Sequence, residues 1–142
     1  MRAYSSDDGS LHLLRLPSGS DLYEGVTGAA RELGIRAASV HVIGALRSLR
    51  YGYYDQRGQE YHELIHDGEL EIGSATGNVS IRDGEAFLHM HVVAGKEDGS
   101  TIGGHLFGGE VFVAEVSFHV LAGEAPVREH EEFAGLDLWP SE

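Results

Sequence analysis

The chain has 142 residues, 42% of them hydrophobic, with 23 acidic and 10 basic residues and a formal net charge of −13. That length suits one domain with its own core, and no stretch approaches the roughly 20 apolar residues of a membrane-spanning helix. The acidic balance argues against nonspecific binding to nucleic-acid phosphates, and zero cysteines exclude disulfides, thiolate ligands and cysteine nucleophiles.

Residues 1–10 are polar and are expected to form a flexible N-terminus. They hold no apolar run of the secretory kind, so a cytoplasmic location is expected. Leu11 to Leu16 reads as a first strand, broken by Pro17-Ser18-Gly19. A helix starts near Ser20 or Asp21, where Asp21 and Glu24 have capping-box spacing. Leu22, Val26, Ala29, Ala30 and Leu33 share one helical face, and Gly34 stops the helix.

The remainder reads as strands. Ala37 to Ile43 is mostly apolar, and Gly44 marks a bulge or bend before Ala45 to Tyr54. Asp55-Gln56-Arg57-Gly58 is a turn, Glu60 to His66 a strand, and His66-Asp67-Gly68 a second turn. Leu70 to Ala75 and Asn78 to Ile81 read as short strands around Thr76-Gly77. Arg82-Asp83-Gly84 turns the chain again, and Val111 to Leu121 is a long final strand. Short strands at this spacing, joined by Asp-Gly turns, predict an antiparallel sheet or barrel. One helix packed on it makes the class α+β.

The chemistry concentrates in Phe87-Leu88-His89-Met90-His91-Val92-Val93. Alternation marks a half-buried strand, in which residues i and i+2 share a face. His89 and His91 therefore project together. Asp98-Gly99 signals a reversal, which returns His105 antiparallel and opposite His91. Cross-strand Cβ atoms lie about 4.5–5.5 Å apart, so three imidazoles can converge on one divalent metal. Two strand histidines could arise by chance in a chain with nine. The third, placed by an independent turn signal, favours the metal reading.

Three protein ligands leave a fourth position open, the pattern of catalytic zinc. Nickel, iron or manganese would also accept imidazole. Glu115 is a candidate proton carrier or partner to a ligand imidazole; an exposed strand glutamate or a subunit contact is the plainer reading. Glu71 is a weaker candidate on the same logic. Tyr51, Tyr53 and Tyr54 read as sheet and interface packing.

The order of these elements resembles a known family. It runs through the capped helix at Pro17-Ser18-Gly19-Ser20-Asp21-Leu22, then Ile43-Gly44-Ala45, Glu69-Leu70-Glu71-Ile72 and Thr76-Gly77-Asn78. His89-Met90-His91, Gly103-Gly104-His105-Leu106 and Ala114-Glu115-Val116 follow. This looks like the plants-and-prokaryotes-conserved (PPC) domain in its prokaryotic form. The likeness spans residues 11–139 and leaves 140–142 as a C-terminal end.

The resemblance implies a compact antiparallel sheet with one main helix, assembled as a homotrimer. Apolar side chains on both faces of the last strand fit burial by a partner copy. The family is similar in fold and site to acetolactate decarboxylase, a zinc enzyme with an H-x-H pair and a later histidine. Plant members carry minor-groove-binding AT-hooks; this chain has no Arg-Gly-Arg-Pro core. The expectation is a zinc-binding or other divalent-metal-binding trimer with a small-molecule site at or near the metal. A DNA-binding regulator, a decarboxylase-like lyase and a trimer whose metal only stabilises it stand as alternatives.

Overall fold

A computed structural model describes residues 2–142. The elements run β1 (Ala3–Ser5), β2 (Leu11–Leu16), α1 (Leu22–Glu32), β3 (Ala38–Asp55), β4 (Glu60–Arg82), β5 (Glu85–Gly95), β6 (Thr101–Gly108), β7 (Val111–Val120), β8 (Glu129–Glu131) and β9 (Leu136–Leu138). Strands β1 to β7 form one sheet in the order β1-β2-β7-β3-β4-β5-β6, and β8 and β9 form a separate hairpin. All of these strand pairs are antiparallel. The expected α+β architecture with one helix is what the chain adopts.

The helix begins where its sequence says it should. Asp21 is the N-cap, and its side chain accepts a hydrogen bond from the Glu24 backbone N–H. Gly34 follows the C-cap residue Leu33 with φ +69°, the left-handed conformation that ends helices. Leu22, Val26, Ala29 and Ala30 are buried against the sheet.

Strand β3 organises the rest. It pairs with β4 along almost its whole length. On its other side it pairs with β7 from Ala38 to Leu46 and with β6 from Arg50 to Gly52. That switch folds the sheet back on itself. The core between sheet and helix includes Leu16, Leu46, Leu49, Leu88, Met90, Leu106 and Phe118, all nearly inaccessible to solvent.

Several expected boundaries differ. The three short strands from Glu60 to Ile81 are a single strand, β4. Asp67-Gly68 does not reverse the chain: Leu46 pairs with Leu70 and Ser48 with Asp67, so an extra residue on β4 forms a bulge. Thr76-Gly77 lies inside the ladder, where Gly77 faces Val40 on one side and Met90 on the other. The residues expected to be loose at the N-terminus include β1, paired with β2. The strand at Val111–Val120 is not the last, because the β8–β9 hairpin follows it.

Candidate metal centre

Strand β5 alternates cleanly. Leu88, Met90, Val92 and Ala94 are buried, while Phe87, His89 and His91 lie on the opposite face. The loop after β5 closes through hydrogen bonds from Lys96 N–H to Ser100 O and from Gly99 N–H to Lys96 O, with Gly99 at φ +82°. Strand β6 then returns with His105 directly opposite His91. The sequence-derived placement of the third histidine therefore holds.

The three rings converge. Their centroids are separated by 5.2 Å for His89–His91, 5.4 Å for His89–His105 and 5.6 Å for His91–His105. One ring nitrogen from each lies within 4.8 Å of the others. Nitrogens sharing a tetrahedral metal would stand roughly 3.3 Å apart, given bonds of about 2.0–2.1 Å. Small side-chain rotations close that gap.

Burial, with Arg128 and then His91 adding to it, pushes His89 down to about 4. Burial, with His89 and His91 adding to it, pushes His105 down to about 4 as well. Both rings are thus neutral at pH 7, the form that ligates metals. His105 Nδ1 is buried without a hydrogen-bond partner. An unpaired buried polar atom is costly, and a metal bound at this cluster would give a nitrogen of this kind a partner. The residues present therefore fit a divalent cation.

A second set, Asp55, Glu60 and His62, has a similar spread. There Glu60 and His62 are exposed, and His62 Nε2 lies 3.5 Å from Glu60 Oε1. No stranded buried atom marks that cluster among the described residues.

Beside the histidines is a cavity of about 390 Å³. Its lining includes His89, His105, Tyr23, Tyr61, Phe87, Arg82 and Arg128. Tyr61 stacks against His105 with centroids 4.7 Å apart. The β8–β9 hairpin supplies Leu136, Asp137 and Leu138 to the wall. It is tied down by Arg128, whose Nε donates to Ser80 Oγ at 2.9 Å, Nη1 to Asp137 O at 3.0 Å and Nη2 to Asn78 Oδ1 at 3.0 Å. Gln59 and the Tyr54 hydroxyl also hydrogen-bond the hairpin backbone.

Glu115 stands apart. It is exposed on β7, opposite Arg15 and Ile43, and it is not part of this cavity wall. Glu71 is exposed on β4 and lines a different cavity, beside Arg47 and Lys96. Tyr51 packs against the core, whereas Tyr53 is exposed. In the sequence Arg82 reads only as part of a turn, and nothing there assigns a role to Arg128 or the hairpin. The available signal was the alternation of β5, which puts Phe87 in phase with His89 and leads back across the turn to Arg82.

Comparison with known proteins gives a consistent result. The Plants and Prokaryotes Conserved domain profile matches residues 4–124. A metal-containing protein from Archaeoglobus fulgidus is 45% identical, with a TM-score of 0.89 over 99% of this chain and 100% of that one. A plant- and prokaryote-conserved protein from Pyrococcus horikoshii is 38% identical, with a TM-score of 0.89 over 94% of this chain and 93% of that one. A Bacteroides thetaiotaomicron protein whose name proposes DNA binding shares the fold, with a TM-score of 0.89 over 97% and 96% of the two chains, at 22% identity. No curated protein matches the sequence. With the profile running from β1 past the end of β7, this chain belongs to the Plants and Prokaryotes Conserved domain family.

Proposed function

We propose that this protein binds one divalent metal per chain, zinc foremost, on His89, His91 and His105, and presents it to a small molecule in the adjoining cavity. The observation that carries the reading is the convergence of three imidazoles, one of which, His105, has a buried Nδ1 without a hydrogen-bond partner. The 45%-identical Archaeoglobus fulgidus protein is itself named as metal-containing. Neutral nitrogen ligands without thiolates suit zinc and also nickel, iron and manganese.

A divalent metal held by these three side chains would supply a Lewis acid able to polarise a carbonyl or acidify water. Around the cluster, Tyr61 and Phe107 pack on His105. Glu24 and Asp137 are the carboxylates in the wall. Candidates for proton transfer there are these carboxylates and the Tyr23 and Tyr61 hydroxyls, which line the cavity as Glu115 does not.

Elemental analysis tests the reading directly. Wild-type protein should hold close to one metal per chain, and His91→Ala close to none. Equal, near-zero metal in both would overturn it.

The assembly we propose is a homotrimer. Tyr53 and Ile65, 66% and 71% exposed, lie on the β3–β4 ribbon. Phe112 is 56% exposed on β7. The support for the trimer is the family resemblance, together with these exposed apolar side chains that a partner copy could cover. Light scattering over a concentration series should give three chains of 15.3 kDa; a mass of one chain throughout would rule the trimer out. DNA binding is disfavoured by the net charge of −13.

A further inference from the structure

The cavity beside the histidines has a second chemical feature at its other end. Ser80, on β4, pairs with Phe87, on β5, and Arg82 pairs with Glu85 across the turn. The Arg82 guanidinium lies over the Phe87 ring, 3.9 Å from its centroid. Arg128 lies 5.2 Å from the same centroid and 5.3 Å from that of Trp139. Two cations are thus held around one aromatic ring.

Their hydrogen bonding is unequal. Arg128 spends three donors on Ser80, Asn78 and the Asp137 carbonyl. The Arg82 side chain makes no hydrogen bond or ion pair among the described residues. Its five N–H donors are available, and the guanidinium is held over Phe87 in the cavity wall. A guanidinium oriented in this way matches a carboxylate bidentately.

The wall's charge favours an anion too. Two guanidiniums offset the carboxylates of Glu24 and Asp137. Asp137 is in addition engaged by His130 Nδ1 at 3.3 Å. A divalent metal's charge would then stand uncompensated, inside a chain whose net charge is −13. The rest of the wall is aromatic or aliphatic, including Tyr61, Leu106 and Leu136. The distance between the two ends is short: Asn78, which accepts from Arg128, pairs with His89 in the β4–β5 ladder. A volume of about 390 Å³ sits at the small end of ligand pockets.

We propose that this cavity binds a small organic carboxylate with an apolar body, its carboxylate held by Arg82 beside Arg128 and its other end facing the histidine cluster. The proposal deepens the small-molecule reading above, and its metal-facing half rests on that reading. Arg82 is the anion-binding residue. Arg128 is a positioning residue that also contributes charge, since its donors lock the C-terminal hairpin over the site. Arg128 lies beyond the residues 4–124 matched by the family profile.

Calorimetric titration tests it with benzoate, its neutral isostere benzamide, and inorganic phosphate. Full-length protein is used, zinc-loaded and metal-free. Benzoate should bind, and benzamide should bind at least tenfold more weakly. Arg82→Gln should lose at least tenfold in benzoate affinity while keeping the wild-type zinc content and melting temperature, and Arg82→Lys should recover part of the loss. Equal binding of benzoate and benzamide, or an Arg82→Gln protein that binds benzoate like the wild type, would overturn the proposal. Phosphate displacing benzoate at lower concentration would overturn the carboxylate assignment. Absence of zinc from the wild type overturns the metal reading separately, because the dependence on Arg82 is also read on metal-free protein.

Discussion

Gly77 gives the sharpest test of how the sheet holds the histidines. It pairs with Met90 in β5, one residue before Asn78, the partner of His89. A Cβ at this position would lie 2.0 Å from the His89 carbonyl oxygen and 2.7 Å from Met90 Cα. Both are backbone atoms, so no rotamer change relieves the clash. Non-bonded carbon atoms rest about 3.5–4.0 Å apart, so β4 and β5 must separate by roughly 1 Å or more beneath His89. Overpacking of this kind costs about 1–3 kcal/mol, and a rigid backbone target puts Gly77→Ala at the upper end. For a domain of this size that is a fall of about 10 °C in melting temperature. Zinc affinity should fall at least tenfold, because the shifted backbone carries His89. Gly28→Ala is the matched control. Gly28 is exposed within α1, and a Cβ there meets nothing within 4 Å. Alanine should stabilise the helix by about 0.5–1 kcal/mol. Melts followed by circular dichroism, with a competitive zinc titration, measure both variants. A Gly77→Ala protein that melts with the wild type and keeps its zinc affinity refutes the reasoning.

Two further outcomes follow from the same structure. His89 and His105 titrate near 4 in the folded chain, against an ordinary histidine value of 6.5. Between those values the unfolded state binds more protons, so metal-free protein should lose stability as pH falls from about 6.5 to about 4; replacing both histidines with glutamine should flatten that part of the melting-temperature profile, and an unchanged slope would count against it. Asp21 accepts from Glu24 N–H at 3.0 Å and, through its other oxygen, from Gly109 N–H at 2.9 Å. Asp21→Ala should cost about 2 kcal/mol in denaturant unfolding, and Asp21→Asn, which keeps the cap and loses the Gly109 bond, should cost less.

Legibility in the sequence followed the range of the interactions involved. The capped helix and the His91–His105 pairing depend on neighbours a few residues apart: Asp21 with Glu24, and a single Asp-Gly turn between two strands. Local rules therefore found them. Asp67-Gly68 and Thr76-Gly77 carry the same turn residues but sit inside β4. The first is absorbed as a bulge because β3 supplies a partner on both sides of it. The second is glycine because the His89 carbonyl leaves no room for a Cβ. Only the long-range pairing of β4 with β3 and β5 separates these glycines from turn glycines.

The arginine end of the cavity lies at the far limit of that range. Arg128 meets Asn78 and Ser80 across separations of 50 and 48 residues, and no periodicity in the C-terminal segment predicts where it docks. The histidine face was legible because β5 alternates; Arg82 belongs to the neighbouring strand and joins that face only once the register of β4 is known. The two halves also differ in what they demand of the chain. Imidazoles need only a strand period and a turn to converge. An anion site in a chain of net charge −13 needs positive groups kept clear of the many available carboxylates. The structure does this by stacking Arg82 on Phe87 and by occupying Arg128 with neutral acceptors, a side-chain amide, a hydroxyl and a backbone carbonyl. Neutral hydrogen-bond partners leave Arg128 without a direct ion pair, and Arg82 has none either, so both guanidiniums remain charged in the cavity wall beside Glu24 and Asp137. A carboxylate in place of Asn78 would pair with Arg128 and offset one of the two positive charges, so the polar neighbours of the arginines matter to the anion site as much as the arginines themselves.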